Sequence, residues 1–175
     1  MKNIVLCLIL IIAFAVPTFA WPDLSPKSLS FQGALQSVNS KSYLGLEMQW
    51  GLSGFLGVKP SIEFGFIQLD QTFGFYDYAW PVMLNLRYDF PLLPIYVGVN
   101  GGTLIHQNDL HPADNAGPTG ICGAYIGYAI RTPAMISVYT QAGVENATLH
   151  YVTAGIPFNY NFSGMTVKVG VQLGN

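Results

Sequence analysis

Residues 82–90 read Val-Met-Leu-Asn-Leu-Arg-Tyr-Asp-Phe, with a polar or charged side chain at every second position of the second half. Side chains two apart share one face of a β-strand, so Val82, Leu84, Leu86, Tyr88 and Phe90 point one way and Asn85, Arg87 and Asp89 the other. A fold built from such strands is decided by which of the two faces meets water.

The same parity carries through the chain. Alternating segments fall at about 28–36, 43–52, 58–68, 79–90, 95–105, 119–131, 135–149 and 164–173. Most are long enough for a tilted strand to cross a bilayer, which takes roughly 9–11 residues. One face gathers Glu47, Lys59, Glu63, Arg87, Asp89, Arg131, Glu145 and Lys168, which include all three glutamates and both arginines. The other gathers Leu44, Leu46, Trp50, Phe64, Leu84, Val97, Val99, Ile126, Val138, Val167, Val169 and Val171. A soluble barrel puts its apolar face inside. Only 9% of the residues are charged and 14% are aromatic, too little charge for an ordinary soluble surface. No run of 18 apolar residues follows residue 20, which argues against a protein spanning the membrane with helices. The remaining architecture for such a chain in lipid is the closed barrel, with apolar side chains outside and charges within.

Connections support this reading by alternating in length. Short turns are expected at Ser53–Gly57, Pro91–Pro94 and Thr132–Ala134; an intermediate one at Ser37–Ser42; longer loops at about 69–78, 106–118 and 150–163. If Pro91–Pro94 is a four-residue turn, Asp89 faces Tyr96, Arg87 faces Gly98 and Asn85 faces Asn100. If Thr132–Ala134 is a three-residue turn, Ala129 faces Ser137, Gly127 faces Tyr139 and Tyr125 faces Gln141. In both hairpins polar residues meet polar residues or glycine, and apolar residues meet apolar ones.

Lys2, the apolar run Ile4–Val16 and Thr18-Phe19-Ala20 have the order of a cleaved export signal. The expected division is therefore a signal peptide, 1–20, and a single barrel domain, 21–175. Beyond the signal Cys122 is the one cysteine, so no intrachain disulfide forms.

The segments LNLRYDFPLLPIYVGVNGG, GAYIGYAIRTPAMISVYTQAGVE and GMTVKVGVQLGN resemble the hairpins of small bacterial outer-membrane barrels of the OmpA-transmembrane-domain and OmpX type. The resemblance implies an eight-stranded antiparallel up-and-down barrel in the cell outer membrane, with short periplasmic turns, longer external loops and both termini on the short-turn side. Members of that family usually end on an aromatic residue, whereas the last residues here are Leu173-Gly174-Asn175.

Eight strands leave a narrow interior normally filled by side chains. The charged face is therefore expected to form a structural network of Glu47, Lys59, Glu63, Arg87, Asp89, Arg131, Glu145 and Lys168. A five-residue turn at Ser53–Gly57 sets Glu47 opposite Glu63, and Arg87 is the cation expected between them. Loop aromatics Tyr76, Tyr78, Phe158, Tyr160 and Phe162 are the expected binding anchors for a surface ligand or protein partner. Trp50, Trp80, Tyr88 and Phe90 fit interfacial girdles.

Other chemistry is less well supplied. His106, Asp109, His111 and Asp114 match no compact metal motif and read as a solvated loop. His150 with Ser137, Ser163, Glu145 or Asp77 could compose a hydrolytic triad, and some resembling barrels are lipid A deacylases or acyltransferases. The deacylases carry a His-x-Ser-Asn cluster, where this chain has His150-Tyr151-Val152-Thr153. The expected function is thus structural or surface-interacting, without a catalytic residue, cofactor, metal or nucleic-acid partner, in a monomer surrounded by outer-membrane lipid. The alternatives are a lipid-modifying barrel enzyme and a soluble lipocalin-like carrier of an apolar ligand.

Overall fold

The computed structural model of the protein describes residues 27–69, 77–108, 117–132, 134–153 and 156–174. The expected signal peptide, and the residues Tyr76, Asp109, His111 and Asp114, lie outside them. Every described element is a strand: β1 Ser28–Val38, β2 Lys41–Gly51, β3 Val58–Gln68, β4 Asp77–Asp89, β5 Ile95–Asn108, β6 Thr119–Arg131, β7 Ile136–Thr153, β8 Ile156–Asn161 and β9 Gly164–Gly174. Each pairs antiparallel with its sequence neighbour except at the end of the chain, where β9 pairs with both β7 and β1 and closes the sheet.

β8 and β9 are two parts of one stave. Thr148 faces Asn161 in the first and Glu145 faces Gly164 in the second, a single uninterrupted register along β7. The Phe162 amide bridges the break by donating to Ala147 O at 2.9 Å. The barrel therefore has eight antiparallel staves with up-and-down connections, as the alternation predicts. The loop expected at 150–163 is instead mostly a strand extension of this last hairpin, because Leu149, Tyr151 and Phe158 continue a β pattern that a loop reading overlooks.

Burial follows the predicted parity. Along β1, Ser30, Gln32, Ala34, Gln36 and Val38 are buried while Phe31 and Leu35 are exposed. Leu44, Leu46, Phe64, Leu84, Val99, Ile126, Val138 and Val169 are exposed on the outer face. Large apolar side chains outside and glutamates inside invert the order of a soluble protein. Two aromatic groups lie toward opposite ends of the outer wall. Tyr88 packs on Phe90 with centroids 5.3 Å apart, and Trp80 packs on Phe66 at 5.2 Å and Tyr78 at 5.7 Å.

Turn chemistry sets the exact registers. The β4–β5 pairs are those expected, Asp89 with Tyr96 through Asn85 with Asn100. In β6–β7, Ala129 pairs with Tyr139 and Gly127 with Gln141, two residues from the expected register. Thr132 closes against Ile136 through both its amide and its hydroxyl, and Met135 takes a left-handed φ of 59°, so the turn sits one position later. The β2–β3 turn narrows to Leu56-Gly57, with φ of 51° and 82°. Phe55 and Val58 exchange hydrogen bonds beneath it, and two residues then oppose one before Leu52 meets Pro60. Consequently Glu63 lies opposite Gln49, and Glu47 opposite Gly65, rather than Glu47 opposite Glu63. The Ser37–Ser42 connection is a two-residue turn at Asn39-Ser40, both left-handed, and not an intermediate loop. Because the displaced registers moved by two, no side chain changed face.

Proline leaves one mark on the wall. Pro81 has no amide to give, and the β3–β4 ladder skips from Phe64–Val82 to Ile67–Ala79 beside it. Gly65 accommodates the ring: a Cβ there would lie 2.7 Å from Pro81 Cγ.

Candidate functional site

The eight charged lumen residues separate into two clusters of opposite balance. In the middle of the barrel Lys168 on β9 is surrounded by three carboxylates. Its Nζ is 2.8 Å from Glu47 Oε2 on β2, 2.8 Å from Glu63 Oε1 on β3 and 3.3 Å from Glu145 Oε1 on β7. All four side chains are at most 4% exposed. Amides complete the shell. Gln32 Nε2 donates to Glu47 at 2.6 Å, Gln49 Nε2 to Glu63 at 2.6 Å, Asn85 Nδ2 to Glu63 at 3.2 Å and Asn100 Nδ2 to Glu145 at 3.3 Å. Gln32 Oε1 in turn accepts from Tyr139 Oη at 2.7 Å. Burying four ions costs several kcal/mol each, and only this density of partners makes the arrangement tenable.

Toward the short-turn rim the balance reverses. Asp89 is the one carboxylate, met by Arg87 Nε at 2.5 Å, by Lys59 Nζ at 3.2 Å and by Arg131 Nη2. Arg87 also donates from Nη1 to Gln172 across the lumen at 3.3 Å, and its guanidinium lies 3.7 Å over the centre of the Tyr96 ring. Burial thins outward, from 15% exposure at Arg87 to 38% at Lys59 and 59% at Arg131.

Between the clusters lies a layer of Tyr96, Tyr125 and Tyr139 with Ala129. Glycines make room for it. A Cβ at Gly127 would lie 2.1 Å from Tyr96 Cζ, and one at Gly98 would lie 2.3 Å from Tyr125 Cζ. Beyond the middle cluster the lumen turns apolar, with Val38, Tyr43, Ile67, Met83, Leu104, Ile121, Leu149 and Phe162 in one buried group. At the far end of β4 and β5, Asp77 Oδ1 sits 2.5 Å from the fully buried His106 Nε2.

The eight charges predicted from parity are thus all brought into ion pairs in the barrel, but not with the expected partners. Arg87 does not lie between Glu47 and Glu63. It belongs to the rim, where Lys59 faces it across β3–β4, and Lys168 takes the central place. Lys168 is far from both glutamates in sequence and reaches them only through closure of β9 against β1.

The expected loop anchors are also redistributed. Tyr78 is buried on β4 and packs on the outer wall with Phe66 and Trp80. Phe162 is completely buried in the apolar lumen group. Tyr160 is partly buried, with its hydroxyl 3.1 Å from that of Tyr43. Phe158 lies on β8 opposite Tyr151. Strand extension of the last hairpin carries these residues out of the loop class.

The side chain of His150 lies outside the described ones; those of three of its expected triad partners are engaged elsewhere. Ser163 Oγ donates to Ala147 O, Glu145 is held by Lys168, and Asp77 is engaged with His106. Ser137 pairs with Gln172 near the opposite end of β7 from His150, which pairs with Asn159. Of the loop residues weighed as metal ligands, His106 faces the lumen on Asp77. Sequence reading set several lumen amides and tyrosines on the polar face but did not name them as partners of the charges or as a separate layer. Their signal was present, since Gln32, Gln49, Asn85 and Gln141 share the parity of the charges.

No protein-family model and no curated protein sequence matches the chain. Among solved structures, Neisserial surface protein A is similar with a TM-score of 0.60 at 15% identity, over 85% of this chain and 95% of that one. A de novo designed transmembrane β-barrel gives a TM-score of 0.49 at 12% identity, over 85% and 96% respectively. The first likeness extends over nearly the whole described barrel and shows its fold, an eight-stranded closed barrel of the small outer-membrane type.

Proposed function

We propose that this protein is a monomeric barrel of the bacterial outer membrane whose role is structural or one of surface interaction. The observation that carries the reading is the inverted polarity of the wall: apolar side chains such as Leu46, Leu84 and Val169 outside, and Lys168 with three glutamates inside. A lipocalin-like carrier needs the opposite polarity. Residues 1–20 serve as the export signal, and the three short turns face the periplasm.

In this reading the lumen is closed to solutes by its own side chains. The Lys168 cluster, the tyrosine layer and the apolar group containing Phe162 stack along the axis and tie strands together across it. Partner recognition falls to the long-loop end, around residues 69–78, 106–118 and the β7–β8 tip. Tyr76, Phe158 and Tyr160 are the aromatic residues proposed to contribute there, while the burial of Tyr78 and Phe162 assigns those two to the barrel itself.

Cell fractionation combined with gel mobility before and after boiling tests the proposal. A membrane-fractionated protein whose folded form migrates differently from the boiled form is expected. A buffer-soluble protein with one mobility would overturn it.

A further inference from the structure

A cavity of about 500 Å³ cuts the short-turn rim between the β4–β5 turn and the end of β6. Its walls come from both faces of the barrel. Arg87, Asp89 and Arg131 enter from the lumen side, while Ile95, Tyr128 and Ile130 belong to the outer, apolar side. β5–β6 pairing ends with the Ile95–Tyr128 pair and the bond from Ala129 N to Pro94 O at 2.8 Å, so Ile130 and Arg131 have no partner on β5 and the notch opens beside them.

The charge on the inner side is unbalanced, with three cations sharing one carboxylate at Asp89. Arg131 is the most exposed of them and commits Nη2 to Asp89; among the described residues no partner takes its Nε or Nη1. Ile130 and Tyr128 beside it are 56% and 44% exposed, continuous with the apolar outer face. The turn tips around the same rim are apolar too: Phe55, Leu56, Leu92, Leu93 and Met135 are all exposed, Leu92 at 95%. Leu56 and Met135 hold left-handed φ angles of 51° and 59°, where glycine or asparagine is favoured. A rim washed only by water has no use for large apolar side chains at strained turn positions.

We infer that this notch is a binding site for one glycerophospholipid of the surrounding leaflet, its phosphate against Arg131 and an acyl chain along Ile95, Tyr128 and Ile130. Charge complementarity selects the anionic headgroup. Continuity with the apolar wall selects a lipid over a free anion. Arg87, fixed by Asp89, Gln172 and the Tyr96 ring, supplies field rather than a mobile contact. The inference rests on the membrane-barrel reading above.

Native mass spectrometry of the full chain released from detergent tests it, with dioleoyl phosphatidylglycerol as probe and glycerol 3-phosphate as soluble competitor. The wild type is expected to retain one lipid that excess glycerol 3-phosphate does not displace. Arg131→Gln should weaken retention by about tenfold, the scale of one charge-assisted contact. Lys41→Gln, which removes the same charge at the opposite end of the barrel, should leave it unchanged. Equal retention by Arg131→Gln, or displacement by excess glycerol 3-phosphate, overturns the lipid site. Boiled and unboiled mobility is read on the same samples. A shifted Arg131→Gln barrel with wild-type retention sinks this inference alone, whereas the absence of any shift sinks the membrane reading with it.

Discussion

Replacing Lys168 by methionine removes the only cation among three buried glutamates while nearly preserving side-chain length. At an effective dielectric constant of about 20, ion pairs at 2.8 Å are each worth about 6 kcal/mol, and one at 3.3 Å about 5 kcal/mol, before desolvation. Most of that gross attraction offsets the cost of taking four ions out of water. The lysine cannot be removed without leaving the other half of this balance behind, and stranding buried charges in this way costs roughly 3–5 kcal/mol. Four staves, β2, β3, β7 and β9, lose their common cross-lumen tie at once. Equilibrium urea unfolding in phosphatidylcholine vesicles, followed by tryptophan fluorescence and confirmed by gel mobility, measures the loss. A second variant isolates the cause: Lys168→Met with Glu47→Gln and Glu63→Gln keeps hydrogen-bonding groups in place but leaves one carboxylate in the cluster. It should recover about half or more of the deficit, as removing uncompensated charge generally does. The reasoning is refuted if Lys168→Met unfolds within about 1 kcal/mol of wild type, since a surface-like pair would cost that little. It is refuted equally if the triple variant is no more stable than the single one.

Three further outcomes follow from the packing. Gly127→Ala forces a Cβ to within 2.1 Å of the Tyr96 ring and should destabilise by about 1–3 kcal/mol, read in the same urea titration, because the ring must leave its hydrogen bond to Gln141. Phe162→Ala opens the apolar group where β8 meets β9 and should cost about 3–5 kcal/mol by that assay; a cost under 1 kcal/mol would show that the site is not packed. Asp89→Asn leaves three rim cations without their carboxylate, but two of them are more than a third exposed, so the expected loss is only about 1 kcal/mol and should shrink further in high salt.

Parity was legible in the sequence because it is a local property. A strand turns its side chains by half a rotation per residue wherever it lies, so Arg87 and Asp89 had to share a face and Leu84 and Leu86 had to oppose them. Register errors at the β2–β3 and β6–β7 turns came in steps of two and left every face intact. Loop limits were less legible. Phe158, Tyr160 and Phe162 look like loop aromatics beside the polar residues around them, and only pairing along β7 places the first two on a strand and ties the third to it through Ala147.

The sequence by itself determined that this chain builds a barrel with charge inside and apolar residues outside, and it named eight charged residues of the interior, though not the Asp77–His106 pair. Tertiary structure alone decided that Lys168 rather than Arg87 neutralises Glu47 and Glu63, that Asp89 gathers the remaining cations, and that a notch joins those cations to the outer wall. Which face a residue occupies follows from a two-residue period. Which partner it meets across the lumen depends on where the sheet closes and on the register of every hairpin between, a sum over the whole wall that no single segment contains.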